Sequence, residues 1–250
     1  MKTERMALWM VFFLLVATVL MPSVGMAQGE VAEPGGGDED QSVFSLIVKG
    51  GPVMVPLGIA SIFALALAIE RYLSLKRDKI IPPEFIAGLR ETMRSSGNDP
   101  EKAVAYCEGV GGPVGNIFRA GVKKISMGVE QVEKAIEDAG AKEVEKLKRR
   151  LKGLAVVAEV SPLMGLLGTV YGMIEAFQRA SAAGMGKADV LAKGIYEALV
   201  TTATGLTIAI PVLLVYQHLN SKINSLVDEI DEMGTEFIEG CIQESEEKTQ

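Results

Sequence analysis

The stretch Tyr196-Glu197-Ala198-Leu199-Val200-Thr201-Thr202-Ala203-Thr204-Gly205-Leu206-Thr207-Ile208-Ala209-Ile210-Pro211-Val212-Leu213-Leu214-Val215-Tyr216 decides how the rest of the chain is read. It is long and apolar enough to cross a bilayer, which takes about 20 helical residues. Yet it carries a carboxylate and four threonines. A hydroxyl or carboxylate in hydrocarbon is costly unless it faces protein or a water-filled path, so the stretch reads as a membrane span beside an ion route.

The composition agrees. The chain has 250 residues, is 48% hydrophobic, and gathers its apolar residues into long blocks instead of spreading them at core periodicity. That pattern defines an all-α membrane protein. The net charge of −7 comes largely from a Glu30–Asp40 linker and an acidic tail after Asp228, which excludes a nucleic-acid-binding surface. Cys107 and Cys241 fall in segments placed in the cytoplasm, where thiols stay reduced, so no disulfide is expected.

Working outward from the quoted span, residues 1–27 have the form of an export signal. Lys2 and Arg5 precede an apolar core, Pro22 breaks it, and Gly25-Met26-Ala27 offers a small-residue cleavage site. An uncleaved anchor is the alternative reading. Residues 28–42 are Gly-, Glu- and Asp-rich and are expected to form a disordered periplasmic linker. Residues 43–75 are expected to hold an interfacial turn and a first span from about Val53 to Ile69, with Arg71, Lys76, Arg77 and Lys79 setting its far end inside.

Residues 76–153 are too charged to span and are read as a cytoplasmic helical region. A helix start is expected at Asn98-Asp99-Pro100-Glu101 and a break between Gly109 and Pro113. Residues 154–219 hold the second span, about Leu154–Phe177, and the third, about Ile195–Leu219, joined by a short periplasmic loop and therefore antiparallel. Residues 220–250 continue as an amphipathic cytoplasmic helix, with Ile223, Leu226, Val227, Ile230 and Met233 on one stripe, and end in the acidic tail.

Chemistry concentrates on two helix faces. In the second span Ser161, Gly165, Gly168, Gly172 and Ala176 line one side, and Thr169 sits beside them. Such a row serves helix packing as readily as a pore, and the Thr169 hydroxyl can bond its own backbone four residues back. In the third span Glu197, Thr201 and Thr204 form one stripe, and Ala198, Thr202, Gly205 and Ala209 the next. Oxygen acceptors, small residues and one acid are what a wet cation path needs. The alternative for Glu197 is a helix-start acid favoured by the macrodipole. Pro211 frees a backbone carbonyl.

Glu159, one turn inside the second span, is expected to reach back to a base such as Lys152, with a pore-mouth carboxylate as the alternative reading. Glu175 has the same ambiguity at the other end, and His218 reads as interfacial. No acid or histidine lies at the centre of a span, and threonine does not titrate, so a proton carrier must come from a partner. Signatures of enzymes, metal sites and bound cofactors are absent from the sequence.

The run Ser161-Pro162-Leu163-Met164-Gly165-Leu166-Leu167-Gly168-Thr169-Val170-Tyr171-Gly172-Met173, followed by Glu197 to Leu206 and Ile210-Pro211, resembles the MotA/TolQ/ExbB family of inner-membrane proton-channel subunits. Lys49 to Pro52, Pro56 and Glu70-Arg71 resemble its first span, so the likeness covers roughly Val43 to Asn220. The resemblance implies a three-span protein assembled as a homopentamer around a dimer of a single-span ExbD/TolR-like protein that carries the membrane aspartate. It matches Thr169 and Thr202 to the pore threonines facing that aspartate and Glu197 to the acid near the outer mouth, with Thr201 beside them. Pro162, Gly165, Gly168, Gly172, Gly205 and Pro211 take the pore and packing positions.

Three spans and an export-like signal lean toward an ExbB-like form working in the inner membrane, N-terminus periplasmic and C-terminus cytoplasmic, with a TonB-like protein as a further partner. Ser161, where alanine is common, and Glu159 depart from the family pattern. A TolQ-like envelope-integrity or gliding subunit, a sodium-coupled stator and a passive membrane scaffold remain open as alternatives at this stage.

Overall fold

A computed structural model describes residues 52–97, 99–182 and 188–247, with side chains described as far as 240. The signal, the acidic linker and the interfacial turn expected before the first span lie outside the described residues, as does the segment 183–187. Among the described residues every regular element is helical: α1 (Met54–Ser74), α2 (Arg77–Ile80), α3 (Phe85–Ser95), α4 (Pro100–Val110), α5 (Gly112–Val122), a 3₁₀ turn (Ile125–Met127), α6 (Val129–Ala182) and α7 (Ala188–Glu247). Among the described residues three helices, α1, α6 and α7, are long and apolar enough to cross a membrane.

The chain divides into two compact units. Of the described residues, one comprises those within 52–68 and 153–216, the other those within 69–152 and 217–247. α6 and α7 each contribute residues to both units.

In the first unit α1 buries little beyond Met54, Leu57 and Ala64, while Val55, Ile59, Ile62 and Phe63 stay exposed. α6 and α7 likewise leave Leu163, Leu166, Val170, Phe177, Leu199, Leu206, Ile210 and Leu214 uncovered. Contiguous apolar surface on this scale is unfavourable in water but matches a hydrocarbon solvent. The chain is a multi-pass membrane protein.

The second unit buries an apolar core of its own. Phe118, fully buried, packs against Phe85 with the rings tilted by 60° and their centroids 5.3 Å apart, and meets Phe237 of α7 edge-on at 5.6 Å. Leu89, Ile117, Val122, Val132, Leu219 and Ile223 are buried in the same unit. Asp99 caps α4 by accepting a hydrogen bond from the Glu101 amide at 3.0 Å, and Pro100 follows as the first helical residue, whose missing N–H costs nothing there. The break after Val110 is made by Gly111, at φ 65° and ψ −158°, a conformation open to glycine alone among the residues. Two guanidiniums tie the short helices to α7. Arg77 grips Glu229 through two nitrogens, and Arg90 pairs with Glu236 at 3.0 Å.

Candidate ion pathway

The apolar halves of α6 and α7 are antiparallel and meet face to face. A methyl group built on Gly172 would stand 2.8 Å from the Ala198 Cβ, one on Gly168 would stand 2.5 Å from the Thr201 hydroxyl, and one on Gly165 would stand 2.9 Å from the Thr201 carbonyl. From the other side, a Cβ on Gly205 would stand 2.6 Å from the Ser161 carbonyl, and one on Gly194 2.4 Å from the Ala176 Cβ. The glycine row of α6 is therefore spent on contact with α7 inside one subunit, the small-residue packing that lets two backbones approach in lipid.

Close approach brings the threonines of α7 onto the α6 backbone. Thr201 is buried, and its hydroxyl lies 2.6 Å from the Ala198 carbonyl and 3.2 Å from that of Gly165. It has one proton to share between them. The half-buried Thr202 also donates to the Gly165 carbonyl, at 3.1 Å. By helix register that same oxygen is the acceptor for the Thr169 amide, so Thr169 and Thr202 are linked through one carbonyl.

Thr169 is half-buried and donates its hydroxyl to the Leu166 carbonyl at 2.7 Å, three residues back instead of the expected four. Thr204 donates to Val200 at 2.8 Å and Ser161 to Val157 at 2.7 Å. Each of these hydroxyl protons is engaged, which leaves oxygen lone pairs as the unspent capacity of the site. Pro162 and Pro211 sit inside continuous helices, and each deprives the carbonyl four residues earlier of its helical donor.

The two stripes of α7 behave as the single small, polar side read from sequence: Ala198, Thr201, Thr202 and Gly205 all lie against α6. At about 100° per residue Thr201 lies at the boundary between those stripes. One expectation needs correction. Glu159 does not reach back to Lys152: it is exposed and forms no ion pair among the described residues. The two lie seven positions apart in sequence, and the α6 backbone holds them nearly two turns apart.

The acids at the loop end fare differently. Glu175 pairs with Arg179 one turn along α6, and the same guanidinium stands 3.9 Å from Glu197 on α7. Sequence reasoning did not single out Arg179. Its i,i+4 spacing from Glu175 was the available signal, but nothing in the spacing reveals the contact with α7. His218 is exposed. Among the described residues no group of three His, Cys, Asp or Glu side chains is placed to hold a metal ion.

Fold and site together define a helical, multi-pass membrane protein whose second and third apolar segments pack through glycines and set a ladder of hydroxyls along their seam. Residues 111–232 match the model of the MotA/TolQ/ExbB proton channel family. The chain is 33% identical over 199 residues to the putative biopolymer transport protein ExbB-like 1 of Synechocystis, a match spanning 76% of this chain and 75% of that protein. It is 30% identical over 202 residues to the Tol-Pal system protein TolQ of Pseudomonas aeruginosa, spanning 74% and 84%. A shorter match, 39% over 98 residues, links it to the biopolymer transport protein ExbB of Xanthomonas campestris, spanning 39% of this chain and 38% of that one. This chain belongs to the MotA/TolQ/ExbB proton channel family, and its relatives include proteins of both the ExbB and the TolQ kind.

Proposed function

We propose that the protein is an inner-membrane proton-channel subunit that assembles as a homo-oligomer around a single-span ExbD/TolR-like partner and converts proton motive force into mechanical work on the cell envelope. The work is energisation of TonB-dependent-type transport. The observation that carries this reading is the convergence of the Thr201 and Thr202 hydroxyls on the Gly165 carbonyl. Hydroxyls whose protons are fixed by a backbone acceptor offer lone pairs in set positions, suited to water or to a protonated carboxyl. The chain's own acids in these segments, Glu159, Glu175 and Glu197, stand toward the helix-pair ends, so the titrating group at mid-span belongs to the partner.

The relatives named TolQ favour a second reading, a subunit serving envelope integrity, built on the same threonines. Thr202→Val and Thr169→Val keep the side-chain outline and remove the hydroxyl. In liposomes holding the chain with its partner, each variant should assemble and lose most of its proton uptake. Unchanged uptake in both would leave the protein a passive scaffold.

A further inference from the structure

We propose that Arg179 is an electrostatic gate at the loop end of the α6–α7 pair, tethered by Glu175 so that its charge only partly covers Glu197. The inference rests on the channel reading above, in which this end is the mouth of the ion path. It identifies a positioning residue outside the threonine ladder.

The geometry carries the argument. Helical side chains lean toward the N-terminus of their own helix, and α6 and α7 run in opposite directions. Arg179 therefore leans down α6 and Glu197 leans up α7, and the two meet although they occupy different levels of the pair. Gly194 makes the meeting possible by letting α7 approach Ala176 more closely than any side chain would allow. Lys193, one turn before Glu197 on α7, forms no ion pair with it, so Arg179 is the cation that Glu197 meets among the described residues.

The two contacts of the guanidinium are unequal. One edge is hydrogen-bonded to Glu175, and the other stays 3.9 Å from Glu197, beyond hydrogen-bond distance. The Glu197 side chain is 24% exposed, against 54% for Arg179 and 56% for Glu175, so the acid is the most covered of the three. Within this cluster of three, two carboxylates and one guanidinium leave a net charge of −1. A cation reaching Glu197 meets a potential set by how much of the arginine Glu175 retains.

Opposite substitutions should then move conduction in opposite directions. The full chain would be reconstituted in liposomes with its single-span partner, and proton uptake followed with an internal pH dye. Arg179→Gln should raise the rate roughly threefold or more at low ionic strength, as expected when a like charge is removed from a mouth. The gain should vanish near 1 M salt, where charges are screened beyond about 3 Å. Glu175→Gln releases the guanidinium to close on Glu197 and should slow uptake, and Arg179→Lys should stay near the unsubstituted rate.

The proposal is overturned if Arg179→Gln leaves low-salt uptake unchanged or slower, if its gain survives high salt, or if Glu175→Gln is not slowed. Should Arg179→Gln fail to assemble, the rate of Glu175→Gln decides alone. Absence of Thr202-dependent uptake in the unsubstituted complex would sink the channel reading and the gate with it. Uptake that depends on Thr202 but ignores Arg179 and Glu175 would sink the gate alone.

Discussion

Gly168 faces the side chain of Thr201 with nothing between them: a Cβ at Gly168 would stand 2.5 Å from the Thr201 hydroxyl oxygen and 2.7 Å from its Cβ. The threonine reaches the α6 backbone because this glycine, and Gly165 one turn away, have no side chain. The hydroxyl that the ion path needs and the packing that holds the span together thus depend on the same absent methyl groups.

Gly168→Ala should destabilise the helix pair by about 1–3 kcal/mol through overpacking and displace Thr201 from the Gly165 carbonyl. Gly58→Ala is the matched control, because a Cβ there meets nothing within 4 Å, and alanine is favoured over glycine in a helix by up to about 1 kcal/mol. Thermal unfolding in detergent, followed by circular dichroism, should separate the two. Equal melting points would contradict the packing described for α6 and α7.

In the second unit, apolar burial should outweigh ion pairing. Phe118→Ala removes a fully buried ring that touches Phe85 and Phe237, and should cost about 3–5 kcal/mol. Arg90→Ala breaks a pair whose partners are 49% and 55% exposed, and should cost under about 1 kcal/mol. Denaturant titration monitored by helix content would rank them, and the reverse order would refute the assignment of this core.

Cys107 is buried, and that burial pushes its thiol up to about 11, so little thiolate is present near neutral pH. In a Cys241→Ser background, maleimide should modify the folded chain slowly and the denatured chain at the rate of an ordinary thiol. Fast labelling of the folded chain near neutral pH would show Cys107 to be solvent-exposed.

The Asp231 carboxyl is raised by desolvation and then by the neighbouring charges of Asp228 and Glu137. A carboxyl raised on folding binds its proton more tightly in the native state, so its ionisation costs stability as pH rises from the usual carboxylate range through the raised value. Asp231→Asn should accordingly stabilise the chain slightly near neutral pH. The difference should shrink as pH falls below the usual carboxylate range, and melting curves at several pH values would show it. A gain that persists undiminished in acid would mean that charge is not the cause.

Much of the helical layout is local, and local features are legible in a sequence. The Asp99 cap, the Pro100 start and the Gly111 break each act through the backbone of their own few residues. The apolar windows of α1, α6 and α7 mark themselves by length and composition. The small residues of α6 were equally plain, and so was the threonine content of α7. What those faces would touch was not plain. Periodicity gives an angle around a helix axis but no partner, so Thr201 and Thr202 could be ranked only once α6 lay against them.

The chain's sequence by itself determined an all-helical membrane protein with three long apolar segments, because hydrocarbon admits only backbones that satisfy their own hydrogen bonds. Tertiary structure alone decided that the Thr201 and Thr202 hydroxyls share the Gly165 carbonyl and that Arg179 leans toward Glu197. Both contacts join residues far apart in sequence, and their existence depends on how closely two antiparallel helices can approach, a distance fixed by glycines on both.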